Sequence, residues 1–167
     1  MSWQRARKST EQRSSDAEAA LTAAIALLAR RDLSGDELRG KLQAKAFDES
    51  TAAEVVADLT RQGIVNDERY AMNYVAYSAG RGHGPLRIAA ELRRRGLAAA
   101  IVDAALAAGP DWCALARRVC RARFGPQPPG SWAQKARQAR FLQYRGFSSD
   151  YIRAATGADP DSGHIEP

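Results

Sequence analysis

Leu92-Arg93-Arg94-Arg95-Gly96-Leu97 has an echo on either side of it. Fifty residues earlier stands Leu42-Gln43-Ala44-Lys45-Ala46-Phe47, and fifty later Leu142-Gln143-Tyr144-Arg145-Gly146-Phe147. Each copy reads leucine, two variable residues, a cation, a small residue and a large apolar one. The pattern has a physical reading as a helix end. The leucine packs inward, and the cation complements the negative end of the helix dipole. The small residue supplies a left-handed turn, and the apolar residue after it covers the last turn. Ala46 is the weakest of the three stops, because only glycine takes that turn without steric cost.

The flanks repeat as well. Leu38 and Leu42 are matched by Ile88 and Leu92, again fifty residues on. Ala52, Val55, Val56 and Leu59 have the i, i+3, i+4, i+7 spacing of an apolar helix face, and Ala98, Ile101, Val102 and Ala105 repeat it. Ser148, Tyr151, Ile152 and Ala155 fall in the same place a third time. Leading helices precede each unit. One is expected from about Asp16 to Arg31, with Leu21, Ile25 and Leu28 inside, extended by Ala17 and Ala24. A second starts after Asn66 and carries Tyr70, Tyr74 and Tyr77. A third starts at Asp111, with Trp112, Leu115, Val119 and Ala122 inside. Capping boxes are expected at Ser34/Glu37, Thr51/Glu54 and Ser131/Gln134. Pro85 suits a first helical position. Gly80 to Gly84 and Phe124 to Gly130 read as loops.

The expected fold is therefore all-α, with three tandem three-helix repeats, helix-turn-helix-like, in an elongated array. The expected divisions are a disordered basic N-terminus at 1–15, repeats at 16–65, 66–110 and 111–156, and a flexible tail at 157–167.

Charge separates these segments. The chain of 167 residues carries a net +6. Residues 1–15 contribute +3, 16–65 contribute −3, 66–110 contribute +2, 111–156 contribute +7, and the tail −3. Between Trp112 and Ser149 eight cations stand with no acid. Such a segment suits an anionic partner, nucleic acid first. The three-tyrosine face could stack bases or serve as core with its hydroxyls at the rim.

Enzyme chemistry finds no foothold. Cys113 and Cys120 lie seven residues apart in a helical stretch, roughly 10 Å along the axis, too far for a disulfide. They read as small apolar residues. His83 and His164 form no metal set with them, and no nucleophile triad or phosphate loop is recognisable. Neither cofactor nor metal is expected. No apolar run approaches a membrane span and no secretory signal is legible, so a cytoplasmic monomer is the expectation.

These residues together resemble the RecX family, regulators of the RecA recombinase. The resemblance covers roughly 18–156. It is carried by Asn66-Asp67-Glu68-Arg69-Tyr70-Ala71, Gly84-Pro85-Leu86-Arg87-Ile88 and Glu91 to Leu97 in the centre. Ser34 to Leu38 with Lys41-Leu42, and Phe141 to Ser148, extend it on either side. Two departures are Ala46 in place of glycine and Tyr70 where phenylalanine is commoner. The resemblance implies a regulator rather than an enzyme. It would lie in the groove of the RecA–single-stranded DNA filament and block its extension or promote its loss. ATP hydrolysis, strand exchange and coprotease activity would fall as a consequence. The residues expected to contact DNA or an acidic rim of RecA are Arg117, Arg118, Arg121, Lys135, Arg137 and Arg140, then Arg93 and Arg94. A free-standing DNA-binding protein acting without RecA is the alternative, and a helical adaptor with no nucleic-acid role is a further one.

Overall fold

The computed structural model describes the backbone of residues 2–157 and the side chains of residues 15–157. Among these residues there are nine helices and no strand. They are α1 (Ser2–Leu28), α2 (Gly35–Gln43), α3 (Glu49–Arg61), α4 (Asp67–Gly80), α5 (Pro85–Arg94), α6 (Ala99–Ala107), α7 (Trp112–Phe124), α8 (Trp132–Arg145) and α9 (Ser149–Thr156). The chain divides into two compact units. One is Met1–Tyr70 with Arg95–Leu97; the other is Ala71–Arg94 with Ala98–Pro167.

In the first unit α3 packs on both α1 and α2. The core is Ala20, Ala24, Leu33, Leu38, Leu42, Ala52, Val55, Leu59 and Val65, with Leu27, Leu28 and Phe47 half-buried against it. Ser34 caps α2 in a full capping box with Glu37. Asn66 caps the start of α4 by accepting from the Arg69 N–H at 2.8 Å. Three expectations need correction here. The stretch 1–15 is helical from Ser2 onward, because nothing between Ser2 and Leu28 is glycine or proline to stop propagation. The inner face of α1 is the alanine face, Ala20 and Ala24, while Leu21 and Ile25 are exposed. Small residues at 20 and 24 let the helix axes approach closely, and Leu21 and Ile25 are left outside. The cap of α3 is Asp48, not Thr51: its carboxylate accepts from the Thr51 N–H at 2.8 Å and from the Thr51 hydroxyl at 2.8 Å. Thr51 is thus the residue capped, three positions inside.

In the second unit α9 packs on α7 and α8, and α5 packs on α6. The buried positions along α4 are Tyr70, Ala71, Val75, Ser78 and Ala79, so the tyrosine stripe breaks up. Tyr70 is buried and Tyr74 half-buried, whereas Tyr77 is 61% exposed. Along α6 it is Val102 and Ala105 that are buried; Ala98 is exposed and serves as the cap position. The inner face of α7 is Trp112, Leu115, Ala116 and Cys120, with Val119 half-buried and Ala122 exposed. Ser131 caps α8, but Gln134 reaches the Gly130 N–H at 2.7 Å instead of closing the box on Ser131. Beyond Gly157 the expected loose tail lies outside the described residues.

The recurring six-residue motif is a helix end in all three places. Ala46, Gly96 and Gly146 have φ of 68°, 80° and 88°. The apolar residues that follow, Leu97 and Phe147, are buried, and Phe47 is half-buried. The motif also has a second role that its own sequence does not reveal. Gly146 is pressed against the start of α5: a Cβ there would stand 2.3 Å from the Arg87 Cβ. The Gly84 N–H donates to the Arg145 carbonyl at 2.8 Å, and the Leu86 N–H donates to the Gly146 carbonyl at 3.0 Å. In the first unit the same arrangement holds Ser34, whose hydroxyl donates to the Arg95 carbonyl at 2.7 Å. A Cβ on Gly96 would stand 2.3 Å from the Asp36 Cβ. The end of one repeat's middle helix is thus the seat for the start of the preceding repeat's middle helix.

Candidate nucleic-acid interface

The eight cations expected to make contact fall in four places. Arg117 and Arg121 of α7 line a cleft of about 390 Å³, closed on the other sides by the 125–129 loop, Gln138, Ala155 and Thr156. Arg117 donates through Nε to the Ala154 carbonyl at 3.4 Å. Lys135 lies on the same side, its Nζ 4.0 Å from where a Cβ of Gly157 would be. Arg118 lines a second groove instead. Arg137 and Arg140 are on α8, and the Arg137 guanidinium sits 5.7 Å from the centre of the Phe124 ring. Arg93 and Arg94 are engaged locally: Arg93 faces Asp103 at 3.3 Å, and Arg94 reaches Glu91 at 2.7 Å.

The second groove holds residues that their positions in the sequence do not bring together. It measures about 420 Å³ and is lined by Arg81, Arg118, Arg123 and Arg145, with Phe141 and Gly82 among them. Four arginines from the α4–α5 loop, α7 and the end of α8 thus share one concavity. The Arg145 guanidinium donates to the Arg81 carbonyl at 3.0 Å and lies 5.3 Å from the Phe141 ring centre. The Arg81 guanidinium donates to the Tyr77 hydroxyl at 2.8 Å and lies 5.6 Å from that ring centre. Phe124 and Phe141 meet edge to face at 5.3 Å, and the Arg123 guanidinium is 5.8 Å from the Phe124 centre.

Two physical consequences follow. None of these four arginines has a carboxylate within salt-bridge distance among the described residues, so their charge faces outward uncompensated. Aromatic rings lie against the guanidiniums of Arg81, Arg123 and Arg145, and Arg81 and Arg145 each spend one donor inside the protein, which leaves their remaining N–H groups for an anion. The neighbouring His83 is held below the ordinary imidazole range, by burial first and then by Arg87, Arg145 and Arg81. It adds no charge of its own at neutral pH. Cations interleaved with half-buried Phe124 and Phe141 and exposed Tyr77 have a composition that suits single-stranded nucleic acid.

No group of three His, Cys, Asp or Glu could hold a metal among the described residues. Burial pushes the Cys120 thiol up, away from the reactive thiolate. Its Sγ lies 3.5 Å from the Gln138 Oε1. No single described helix is long and apolar enough to cross a membrane.

Three family models match the chain in order: RecX, first three-helix domain, over residues 20–59; RecX, second three-helix domain, over 66–106; and RecX, third three-helix domain, over 111–156. The chain belongs to the RecX family. The regulatory protein RecX of Halorhodospira halophila is 42% identical over 142 residues, which is 84% of this chain and 88% of that protein. The regulatory protein RecX of Stenotrophomonas maltophilia strain K279a is 41% identical over 139 residues, 83% of this chain and 85% of that one. The crystal structure of RecX from Lactobacillus salivarius superposes with a TM-score of 0.75 at 22% identity, covering 85% of this chain and 95% of that one. A second RecX crystal structure gives 0.77 at 20% identity, covering 90% and 76%. At that identity the structures bear on the fold alone. RecX is a family of regulatory proteins, and the three-repeat all-α architecture is that of the family.

The RecX-family motif residues are mostly structural here. Glu37 of the first repeat illustrates this. Its carboxylate accepts from Arg31 at 3.0 Å and from the Tyr70 hydroxyl at 3.0 Å, and it lies 3.7 Å from Arg95. Burial alone would raise its pKa, but the bonds from Arg31, Tyr70 and the Ser34 N–H outweigh burial and hold it below the usual range. Arg95 also donates to the Tyr70 hydroxyl. The repeat marks one member of the four-arginine groove. Arg145 is the motif cation, and its counterpart Arg95 shows that this position reaches out to a neighbouring element.

Proposed function

We propose that the chain is a negative regulator of the RecA recombinase in DNA repair, recombination and the SOS response, acting in the cytoplasm. It binds in the groove of the RecA–single-stranded DNA filament and inhibits filament extension, ATP hydrolysis, strand exchange and coprotease activity. Family membership supports the regulatory role. The observation that carries the anionic partner is the cationic surface of the third repeat, whose run from Trp112 to Ser149 holds no acid. Its Arg118, Arg123 and Arg145 share a groove with Arg81, while Arg117 and Arg121 line a cleft and Lys135 stands beside Gly157 at the end of α9. Arg137 and Arg140 extend the positive surface along α8. Phosphate contacts of this kind release counterions, so binding weakens as salt rises.

The test is RecA ATPase activity on single-stranded DNA with the purified chain added below stoichiometry. Inhibition is expected, and it should weaken in the Arg137→Glu/Arg140→Glu double variant with helix content unchanged by circular dichroism. No effect of the unmodified chain at any ratio would reject the RecA reading. Tight, salt-sensitive binding to DNA in that same case would favour a free-standing DNA-binding protein.

A further inference from the structure

The cleft lined by Arg117 and Arg121 opens where α9 ends. Thr156 and Ala155, the last residues of α9, form one wall of it. Gly157 turns the chain out of the helix with φ of 67°, and Lys135 stands beside that turn. The sequence that follows is Ala158-Asp159-Pro160-Asp161-Ser162-Gly163-His164-Ile165-Glu166-Pro167. It carries three acids and no Lys or Arg. Among the described residues no carboxylate lies within salt-bridge distance of Arg117, Arg121 or Lys135. The cleft therefore presents unpaired cations to the one strongly acidic segment that the chain delivers to its edge.

We infer that this cleft is the docking site of the chain's own acidic segment 158–167, which competes there with the phosphates of a nucleic acid. Reach is no obstacle. Asp159 and Asp161 stand two and four residues past Gly157, and an extended chain covers about 3.3–3.6 Å per residue. Arg117 lies at the end of α9, its Nε 3.4 Å from the Ala154 carbonyl, within the span that two to four extended residues past Gly157 cover. Tethering raises the local concentration of the segment to roughly the millimolar range for a short linker. Weak, screened ion pairs then suffice for partial occupancy. The segment acts as a competitor that any phosphate at the cleft must displace. The docking stands independently of RecA; only the competition rests on the proposed nucleic-acid binding.

The test uses the full chain and its Asp159→Asn/Asp161→Asn/Glu166→Gln variant, in which the segment loses its three charges. Two readouts are taken. In nitrogen-edited NMR spectra, the Arg117 and Arg121 side-chain Nε–H signals should differ between the two chains at low salt and converge at high salt. Identical spectra at low salt would overturn the docking. In fluorescence anisotropy with a labelled oligothymidylate, the neutralised variant should bind about three- to tenfold more tightly than the unmodified chain. Equal affinities would overturn the competition. If neither chain binds the oligonucleotide while the spectra differ, the docking stands and the nucleic-acid reading fails instead.

Discussion

Ala46 occupies a backbone conformation that its side chain resists. Its φ of 68° lies in the left-handed region, where a Cβ crowds the following carbonyl at a cost of about 1–2 kcal/mol. Glycine would remove that strain but lose more backbone entropy on folding, roughly 0.5–1 kcal/mol. Ala46 is exposed, so no neighbour decides the outcome. Ala46→Gly is expected to stabilise the fold by about 0.5–1 kcal/mol in urea unfolding. Gly146→Ala should do the reverse and more. It adds left-handed strain and drives a Cβ to 2.3 Å from Arg87, so a loss of about 2–5 kcal/mol is expected. The two substitutions thus separate the two roles of one motif position. At position 46 only the helix stop operates, and at 146 the stop is also a seat. Tyr70 offers a third residue-level test. Its hydroxyl bridges Glu37 and Arg95, and Tyr70→Phe should cost about 0.5–1.5 kcal/mol by chemical denaturation. An unchanged midpoint would mean that Arg95 and Glu37, already 3.7 Å apart, close the gap themselves.

Among the helices, α3 has the cap with the clearest electrostatic signature. The Asp48 carboxyl is lowered from 3.8 to about 2, first by the Ser50 hydroxyl and then by the Thr51 N–H and hydroxyl. A carboxyl whose pKa falls on folding is stabilising where it is ionised in both states, above about 3.8. That contribution is lost as pH falls toward 2. The melting temperature of Asp48→Ala should therefore lie below that of the unmodified chain at about pH 5, with the gap narrowing between about pH 4 and 2. A gap independent of pH would show that charge is not what the cap supplies. The Thr51/Glu54 pattern pointed to Thr51, but aspartate caps as well as threonine, and Asp48 holds the position. On α1 the expected Ala24 and Leu28 meet the core, and Leu21 and Ile25 miss it for a related reason. Hydrophobic spacing weighs side-chain size, whereas close helix packing rewards the alanines at 20 and 24. The three helix ends were legible, because each is local chemistry over six residues. The seating of one repeat on the next was not. It joins Gly84 to Arg145 and Ser34 to Arg95, and only a folded chain brings residues sixty-one apart into hydrogen-bond contact.

At the scale of the whole molecule, the proposed function turns on which cations a polyanion would meet. The sequence marked the acid-free run from Trp112 to Ser149 correctly as the place where charge accumulates. It could not tell which arginines are spoken for. Arg93 and Arg94 have acids at 3.3 and 2.7 Å. Arg118 and Arg123 share their groove with Arg81 and Arg145 and have no acid within salt-bridge distance among the described residues. A cation already paired contributes less counterion release on binding phosphate, because part of its charge is neutralised beforehand. The affinity for an oligothymidylate, measured across a salt series, should therefore respond unequally to two matched neutralisations. Arg118→Gln/Arg123→Gln is expected to weaken binding and flatten the salt dependence by about one unit of log–log slope for each phosphate left without its cation. Arg93→Gln/Arg94→Gln should leave the slope nearly as it was. Equal weakening in both variants would mean that net charge alone attracts the anion and that the groove confers no selectivity. A larger effect from the second pair would move the binding surface to the second repeat.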